Sequence, residues 1–186
     1  MLISLRPPRT LRLEKMTKDS HAELVVRTFV SADALRVREL FADGIMEFAL
    51  GVEDEARRYV EHSLSDDLAD ILTHYLDRPR NHFWVVGTGV DVIGMVGVQE
   101  RSVDEAELRR MSVSSAARRQ GIGRKLLATV DEFCRGKGYR RISLSTVTML
   151  QPAMAMYANN GYKLVKEEGW GSVGVRYFEK ELASLA

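Results

Sequence analysis

The sequence is poor in the residues that build covalent, metallic and strongly charged sites. Its 186 residues include one cysteine, Cys134, which excludes an internal disulfide. The four histidines, His21, His62, His74 and His82, do not have the spacing of metal ligands. The formal net charge of +1 lacks the basic excess that a nucleic-acid-binding protein needs. We therefore expect no disulfide, no metal site and no nucleic-acid partner.

Long apolar runs are also missing. No stretch reaches the roughly 18 apolar residues that span a membrane. The first eighteen residues are basic and contain Pro7-Pro8, and no apolar signal core follows them. With 45% apolar and 28% charged residues, the chain has the composition of one globular domain. We predict a cytoplasmic domain over residues 23–182, with tails at 1–22 and 183–186 and no membrane contact.

Hydrophobic periodicity predicts the order β-α-α-β-β-β-α-β-α-β-β. This order gives a mixed sheet with helices on both faces, and thus an α/β (α+β) fold class. The predicted helices cover residues 32–50, 53–75, 122–137 and 152–159, and the predicted strands cover 24–30, 83–86, 92–98, 107–113, 141–146, 162–167 and 173–178.

A glycine-rich, basic loop links the strand that starts at Glu107 to the helix that starts at Ile122. A helix N-terminus carries unpaired N–H groups and partial positive charge. Gly121 and Gly123 have no side chains, so a diphosphate can approach that backbone closely. We predict that this loop binds a pyrophosphate through the following residues: Arg118, Arg119, Gln120, Gly121, Ile122, Gly123, Arg124 and Lys125.

The loop does not match the two commonest nucleotide-binding patterns. Leu126 stands where a Rossmann loop has its third small residue, and no Gly-Lys-Ser/Thr follows Gly121. The pattern R-x-x-G-x-G, from Arg118 to Gly123, resembles the acetyl-CoA signature of the GNAT superfamily of N-acetyltransferases. The alternative for this segment alone is an ordinary basic start of a helix.

A second signature follows about forty residues later. The segment 153–164, AMAMYANNGYKL, resembles the short GNAT helix with A-x-x-x-Y, followed by a Gly-Tyr pair and a strand. The resemblance covers residues 23–182 and implies a GNAT-like, mostly antiparallel mixed sheet that takes acetyl-CoA as acetyl donor. In the family the pantetheine arm of the donor lies along the strand before the glycine loop, which implies contacts with the main chain of Met111, Ser112 and Val113.

The resemblance also implies roles for two side chains. Tyr157 matches the family tyrosine that protonates the leaving sulfur, and its alternative role is packing in the core. Strand alternation places Glu107 on the same face as the apolar Met111 and Val113, which makes it a candidate general base. The alternative for Glu107 is a structural carboxylate paired with Arg109 or Arg110.

The match is strongest over residues 107–165, which resemble the camello-like branch of the superfamily, whose members acetylate small amines. Animal members of this branch carry an apolar membrane segment in their N-terminal half, where this chain is rich in charge. A second departure is Leu150, at a position where many members have an asparagine that contacts the cofactor. The implied function is transfer of an acetyl group to a small primary amine, with Arg109 or Arg110 available for an acceptor carboxylate. Acetylation of proteins and non-catalytic binding of acyl-CoA are the alternatives, and the oligomeric state stays open.

Overall fold

The computed structural model describes residues 24–88, 91–170 and 173–183. Seven strands form one sheet in the order β1-β2-β3-β4-β5-β7-β6, in which only β4 and β5 run parallel. The strands are β1 Val25–Thr28, β2 His82–Thr88, β3 Asp91–Glu100, β4 Glu105–Val113, β5 Arg141–Val147, β6 Lys163–Trp170 and β7 Val173–Glu181. The helices are α1 Ala34–Met46, α2 Glu53–Ser65, α3 Ile122–Gly136 and α4 Gln151–Asn159. The predicted order of elements is confirmed, whereas the predicted N-terminal tail lies outside the described residues.

Each face of the sheet has its own core. On one face α1, α2 and a π-helical turn at Leu72–Leu76 cover a cluster that includes Phe41, Val60 and Phe83. On the other face α3 and α4 cover a cluster that includes Leu126 and Tyr157. The prediction of helices on both faces is therefore confirmed. Among the helices of the described ranges, none is long and apolar enough to cross a membrane.

The prediction of one helix over 53–75 is wrong. Helix α2 ends at Ser65, because Asp66 leaves helical geometry with φ −100° and ψ −122°. The chain then resumes as the π-helical turn. Apolar residues on both sides of the break, such as Leu64 and Leu68, contribute to the same core, so helical periodicity continues across the break. The break itself brings Asp67, an acidic residue, into the interior, where its exposed fraction is 1%.

Strand β4 contains a bulge at Arg110. Its partner residues on β3 shift register, since Met95 faces Ser112 while Gly97 faces Arg109. Arg110 has φ 55°, a left-handed conformation that is unusual for a residue with a side chain. A bulge of this kind inserts one extra residue and reverses the alternation of side chains beyond it.

This reversal corrects the predicted position of Glu107. Ala106 and Leu108 before the bulge and Met111 and Val113 after it all pack in the core under α3 and α4. Glu107 alternates with Ala106 and Leu108 and therefore lies on the opposite face, toward α1 and α2. The prediction that Glu107 shares a face with Met111 and Val113 is wrong, because the strand is not regular between them.

Strands β4 and β5 separate soon after they meet. Their parallel pairing runs only from Glu105–Arg141 to Glu107–Ser143. The Glu105 carboxylate fastens this short junction by accepting hydrogen bonds from Ser143 Oγ at 2.6 Å and Arg141 Nη2 at 2.7 Å. Beyond it no pairing joins the two strands, so an opening forms in the middle of the sheet.

Candidate active site

The glycine loop presents a continuous row of free backbone donors. From Arg119 to Arg124, six consecutive residues, no N–H group donates to an acceptor within the described part of the chain. Lys125 is the first to do so, with its N–H donating to the Gly121 carbonyl at 3.0 Å. Gly121 makes the turn into α3 with φ 81°. The predicted set of free donors at the start of this helix is therefore present.

The side chain of Arg118, one of the basic residues of the loop, is bound to residues outside the loop. The Arg118 guanidinium donates to both carboxylate oxygens of Glu47, at 2.7 and 2.6 Å, and to the Val113 carbonyl at 3.2 Å. It also lies over the Phe48 ring. Arg118 thus ties the loop to the C-terminal end of α1, and its side chain does not point freely toward the helix start.

The other polar side chains of the loop divide into two groups. Lys125 Nζ donates to the Leu24 carbonyl at 2.6 Å, and Gln120 Nε2 donates to a loop carbonyl at 3.3 Å. Arg119 and Arg124 are exposed, and neither makes a side-chain hydrogen bond or an ion pair with any described residue. These two guanidiniums supply positive charge that no described carboxylate neutralises, within the same segment as the free N–H groups.

Packing also explains why position 123 is a glycine, in addition to the access that a glycine gives to the backbone. A Cβ atom at this position would lie 2.5 Å from Met156 Sδ and 3.6 Å from Met111 Cε. The glycine therefore lets the first turn of α3 approach both α4 and β4. Around Gly121, in contrast, no described atom lies within 4 Å of a Cβ position, so the space outside the loop is open.

The opening between β4 and β5 continues into a cleft of about 880 Å³. Residues from both halves of the sheet and from three helices line it: Phe41, Ile45, Tyr59, His62, Glu107, Leu108, Arg109, Arg110, Met111, Ser145, Thr146, Val147, Leu150, Ala153, Tyr157, Glu168, Gly169, Val175 and Tyr177. The cleft thus brings together Glu107, Met111 and Tyr157. Ser112 and Val113 lie farther along β4, and the glycine loop follows them in the chain.

Tyr157 contributes one wall of the cleft and is 5% exposed. Its ring contacts Tyr162 and Phe178, with centroid distances of 5.8 and 6.2 Å. Burial raises the pKa of the Tyr157 phenol above its ordinary value, and the nearby Tyr59 adds to this effect. No other group among the described residues hydrogen-bonds to its hydroxyl, so the phenol is protonated and free to donate.

Glu107 lines the cleft from β4 and is half-buried. The pairing with Arg109 or Arg110 suggested by the sequence does not occur. Arg109 donates to Gln99 Oε1 at 2.7 Å, and Arg110 is bound to Asp67. Over the residues that the structure describes, the Glu107 carboxylate makes no ion pair, which leaves it available to a bound molecule.

Sequence reasoning missed a buried polar cluster behind the cleft. Arg110 Nε and Nη2 donate to the Asp67 carboxylate at 2.5–3.0 Å, and the Tyr75 hydroxyl donates to the same carboxylate. Arg110 Nη1 donates to Ser63 Oγ at 2.6 Å and to Tyr59 Oη at 3.2 Å. Arg110 is therefore not available to bind an acceptor, which corrects one of the two candidates for that role.

The charges of this cluster fix its ionisation. Burial alone would raise the pKa of the Asp67 carboxyl, but the hydrogen bonds and charge of Arg110 lower it below its ordinary value. The pair is therefore ionised at neutral pH. One feature of the sequence could have indicated this buried cluster. The Asp66-Asp67 pair interrupts the apolar stripe of the second helical segment.

Position 150, where many family members have an asparagine, has an apolar side chain in this cleft. Leu150 lines the cleft and cannot donate or accept a side-chain hydrogen bond there. The adjacent Gln151 turns its amide to the Thr148 carbonyl at 2.8 Å. Neither residue supplies the polar contact that an asparagine at position 150 would offer.

Comparison with known proteins links this geometry to one family. The model of the acetyltransferase (GNAT) family matches residues 49–162. Human N-acetyltransferase 8, from Homo sapiens, is 38% identical over 110 residues, which cover 56% of this chain and 48% of that protein. The chain spans about half the length of this curated relative. Its name confirms the resemblance to the camello-like branch.

Solved structures share the fold at low sequence identity. The PaiA N-acetyltransferase of Thermoplasma acidophilum, solved in complex with coenzyme A, has a TM-score of 0.74 and 18% identity over 86% of this chain and 99% of that one. A GNAT-family acetyltransferase of Staphylococcus aureus Mu50 has a TM-score of 0.73 and 21% identity, covering 87% and 100%. At these identities the likeness shows the fold alone, and it confirms the predicted fold class.

Proposed function

The chain belongs to the acetyltransferase (GNAT) family, and on that basis we propose that it transfers the acetyl group of acetyl-CoA to a primary amine of a small molecule. The single observation that carries the proposal is the row of free N–H groups from Arg119 to Arg124, which stands beside a cleft that holds a carboxylate and a protonated phenol. Free donors at a helix start bind phosphate oxygens, and the cleft offers the groups that acyl transfer needs.

The glycine loop would bind the diphosphate of the donor. Its N–H groups donate to the phosphate oxygens, the dipole of α3 favours their negative charge, and the exposed Arg119 and Arg124 add positive charge. The side chains of Arg118 and Lys125 instead hold the loop against α1 and the chain before β1. Their contribution to donor binding is then mainly the shape of the loop.

The opening between β4 and β5 would receive the pantetheine arm. Past Glu107 the β4 edge that faces β5 has no strand partner, so its main chain is free to pair with an extended amide-containing arm. Met111, Ser112 and Val113 follow the bulge on this edge. We assign to their main chain the binding of the arm and the polarisation of the thioester carbonyl.

The reaction would proceed by direct attack. The amine nitrogen bonds to the thioester carbon, the C–S bond breaks, and Tyr157 gives its proton to the departing sulfur. The raised pKa keeps the Tyr157 phenol protonated at neutral pH, so its proton is present when the C–S bond breaks. Glu107 takes the proton that the amine nitrogen loses, and both side chains return to their starting state by exchange with solvent.

The enclosure of the cleft favours a small acceptor over a folded protein. The cleft is partly enclosed by α1, α2, β6 and β7, and the strongest resemblance is to the camello-like branch. The +1 net charge also lacks the acidic bias that attracts lysine-rich tails. Arg109, which is 27% exposed, is the remaining candidate partner for a carboxylate on the acceptor.

The proposal is tested by measuring the release of free thiol from acetyl-CoA in the presence of different acceptors. The panel contains small amines, amino acids, basic peptides and proteins. We expect release that depends on a small amine. Turnover of peptides or proteins alone would favour protein N-terminal or lysine acetylation. Binding of acetyl-CoA with no thiol release on any acceptor would instead show a non-catalytic acyl-CoA-binding module.

A further inference from the structure

Tyr59 stands where the buried cluster meets the cleft. Its ring packs against Phe41 at a centroid distance of 5.9 Å, and its hydroxyl receives a hydrogen bond from Arg110 Nη1 at 3.2 Å. Tyr59 is half-buried and lines the cleft, whereas Arg110 behind it has a side-chain exposure of 3%. The phenol is therefore fixed from the protein side and open on the other side.

The hydrogen bonds determine which way the Tyr59 proton points. A guanidinium has donors only, so the Tyr59 oxygen acts as acceptor toward Arg110. The two hydrogens of Arg110 Nη1 go to Tyr59 and Ser63, and the Ser63 hydroxyl in turn donates to the Tyr59 carbonyl at 2.8 Å. Within the described ranges no group accepts the Tyr59 proton. The proton is thus directed away from the cluster and toward the cleft.

The cluster also keeps this donor in place. Arg110 is held by two-point contact with the Asp67 carboxylate, and the Tyr75 hydroxyl also donates to that carboxylate. A hydroxyl that accepts a hydrogen bond from a cation becomes a stronger donor itself. A preorganised donor of this kind binds an oxygen atom with little loss of side-chain entropy.

We propose that Tyr59 is a specificity-determining residue, whose hydroxyl donates a hydrogen bond to a carbonyl or carboxylate oxygen near the amine of the acceptor. This inference rests on the proposed function and adds a recognition group to it. Tyr59 lies on α2, across the cleft from Tyr157 on α4. The two phenols accordingly have separate tasks, one toward the acceptor and one toward the leaving sulfur.

The test compares acceptor preference in the parent and in Tyr59→Phe, which retains the ring and loses the hydroxyl. Acceptors are paired, each α-amino-acid amide with the amine of the same skeleton that lacks the amide oxygen. We expect kcat/KM for the oxygen-bearing member to fall roughly 10-fold, while the oxygen-free member is unchanged. KM for acetyl-CoA should stay the same.

Tyr139→Phe is the matched control, because it also removes a single phenol hydroxyl, which donates to the Arg80 carbonyl at 2.9 Å and does not line the cleft. It should lower stability and leave the ratio between paired acceptors as in the parent. Equal effects of Tyr59→Phe on both members, or turnover confined to oxygen-free amines, would overturn the inference and leave the proposed function standing. Absence of thiol release from the parent with every amine would overturn both.

Discussion

The two halves of the candidate site are built in different ways. The proposed donor half comes from one continuous segment, from β4 through the glycine loop to the first turn of α3, and its N–H groups from Arg119 to Arg124 have no acceptor among the described residues. The proposed acceptor half is lined by residues of α1, α2, β4, β6 and β7, and behind it lies a buried cluster in which Arg110 is hydrogen-bonded to Asp67 and Ser63. One half of the candidate site is thus encoded by a local segment, whereas the other depends on contacts between distant parts of the chain.

The largest effect is expected in the acceptor half. Asp67→Ala leaves Arg110 charged and buried without its partner, so the free energy of unfolding should fall by about 3–5 kcal/mol. Urea unfolding measures this loss. Glu39→Ala is the control, since it removes an exposed ion pair with Arg36 and should cost less than about 1 kcal/mol. Similar losses for both variants would show that the cluster does not support this half.

Acid adds a check on the same cluster. Because the folded state lowers the pKa of Asp67, its carboxylate stabilises the fold fully above its ordinary pKa of 3.8, and this contribution disappears as pH falls through the lowered value. The parent should therefore lose stability below about pH 4 more steeply than Asp67→Ala does. If the free energy of unfolding changes with pH in the same way in the parent and in Asp67→Ala, Asp67 does not stabilise the fold as a carboxylate.

The next largest effect should separate chemistry from binding. Tyr157→Phe removes one hydroxyl and keeps the ring contacts with Tyr162 and Phe178, so kcat should fall about 100-fold while acetyl-CoA affinity is retained. Steady-state kinetics and calorimetry measure the two quantities. An unchanged kcat would reduce Tyr157 to a packing residue of the core under α3 and α4.

A smaller effect should appear in the donor half alone. Gly121→Ala places a Cβ on a residue with φ 81°, in space that is otherwise open, so acetyl-CoA affinity should fall roughly 10-fold. Gly136→Ala, at the far end of α3 and also in open space, is the control and should leave affinity unchanged. Equal affinities for both variants would remove the glycine loop from the donor site.

The smallest effect is expected where the two halves meet. Glu107→Gln removes the proposed base without changing its shape, so the rate should fall most at the acidic end of the pH profile, where the amine is hardest to deprotonate. At alkaline pH the difference should shrink to a few-fold. If the pH–rate profiles of variant and parent coincide, a water chain or another group acts as the base.

The sequence was informative where structure depends on neighbours along the chain. The start of α3, the free donors of its first turn and the strand before it follow from Gly121, Gly123 and the periodicity that begins at Ile122, and the structure has them. The order of elements was predictable for the same reason. Periodicity reports which side of an element is buried, and most elements here bury one side.

The errors lie where distant contacts override local pattern. Alternation along β4 misplaced Glu107, because the strand bulges at Arg110, whose side chain binds a carboxylate 43 residues earlier in the chain. The break after Ser65 was missed because Leu64 and Leu68 keep helical spacing across it. Arg118 and Glu47 form an ion pair although they are 71 residues apart in the chain, so no local sequence pattern predicts it.

Titration of the isotope-labelled protein with coenzyme A, monitored through the backbone amide resonances, tests the proposed donor site directly. If the N–H groups from Arg119 to Arg124 bind the diphosphate of the donor, their resonances should shift most. Smaller shifts should appear along β4 from Met111 to Val113. Saturable binding that leaves the loop resonances unmoved, with the largest shifts elsewhere in the sheet, would contradict the proposed donor site.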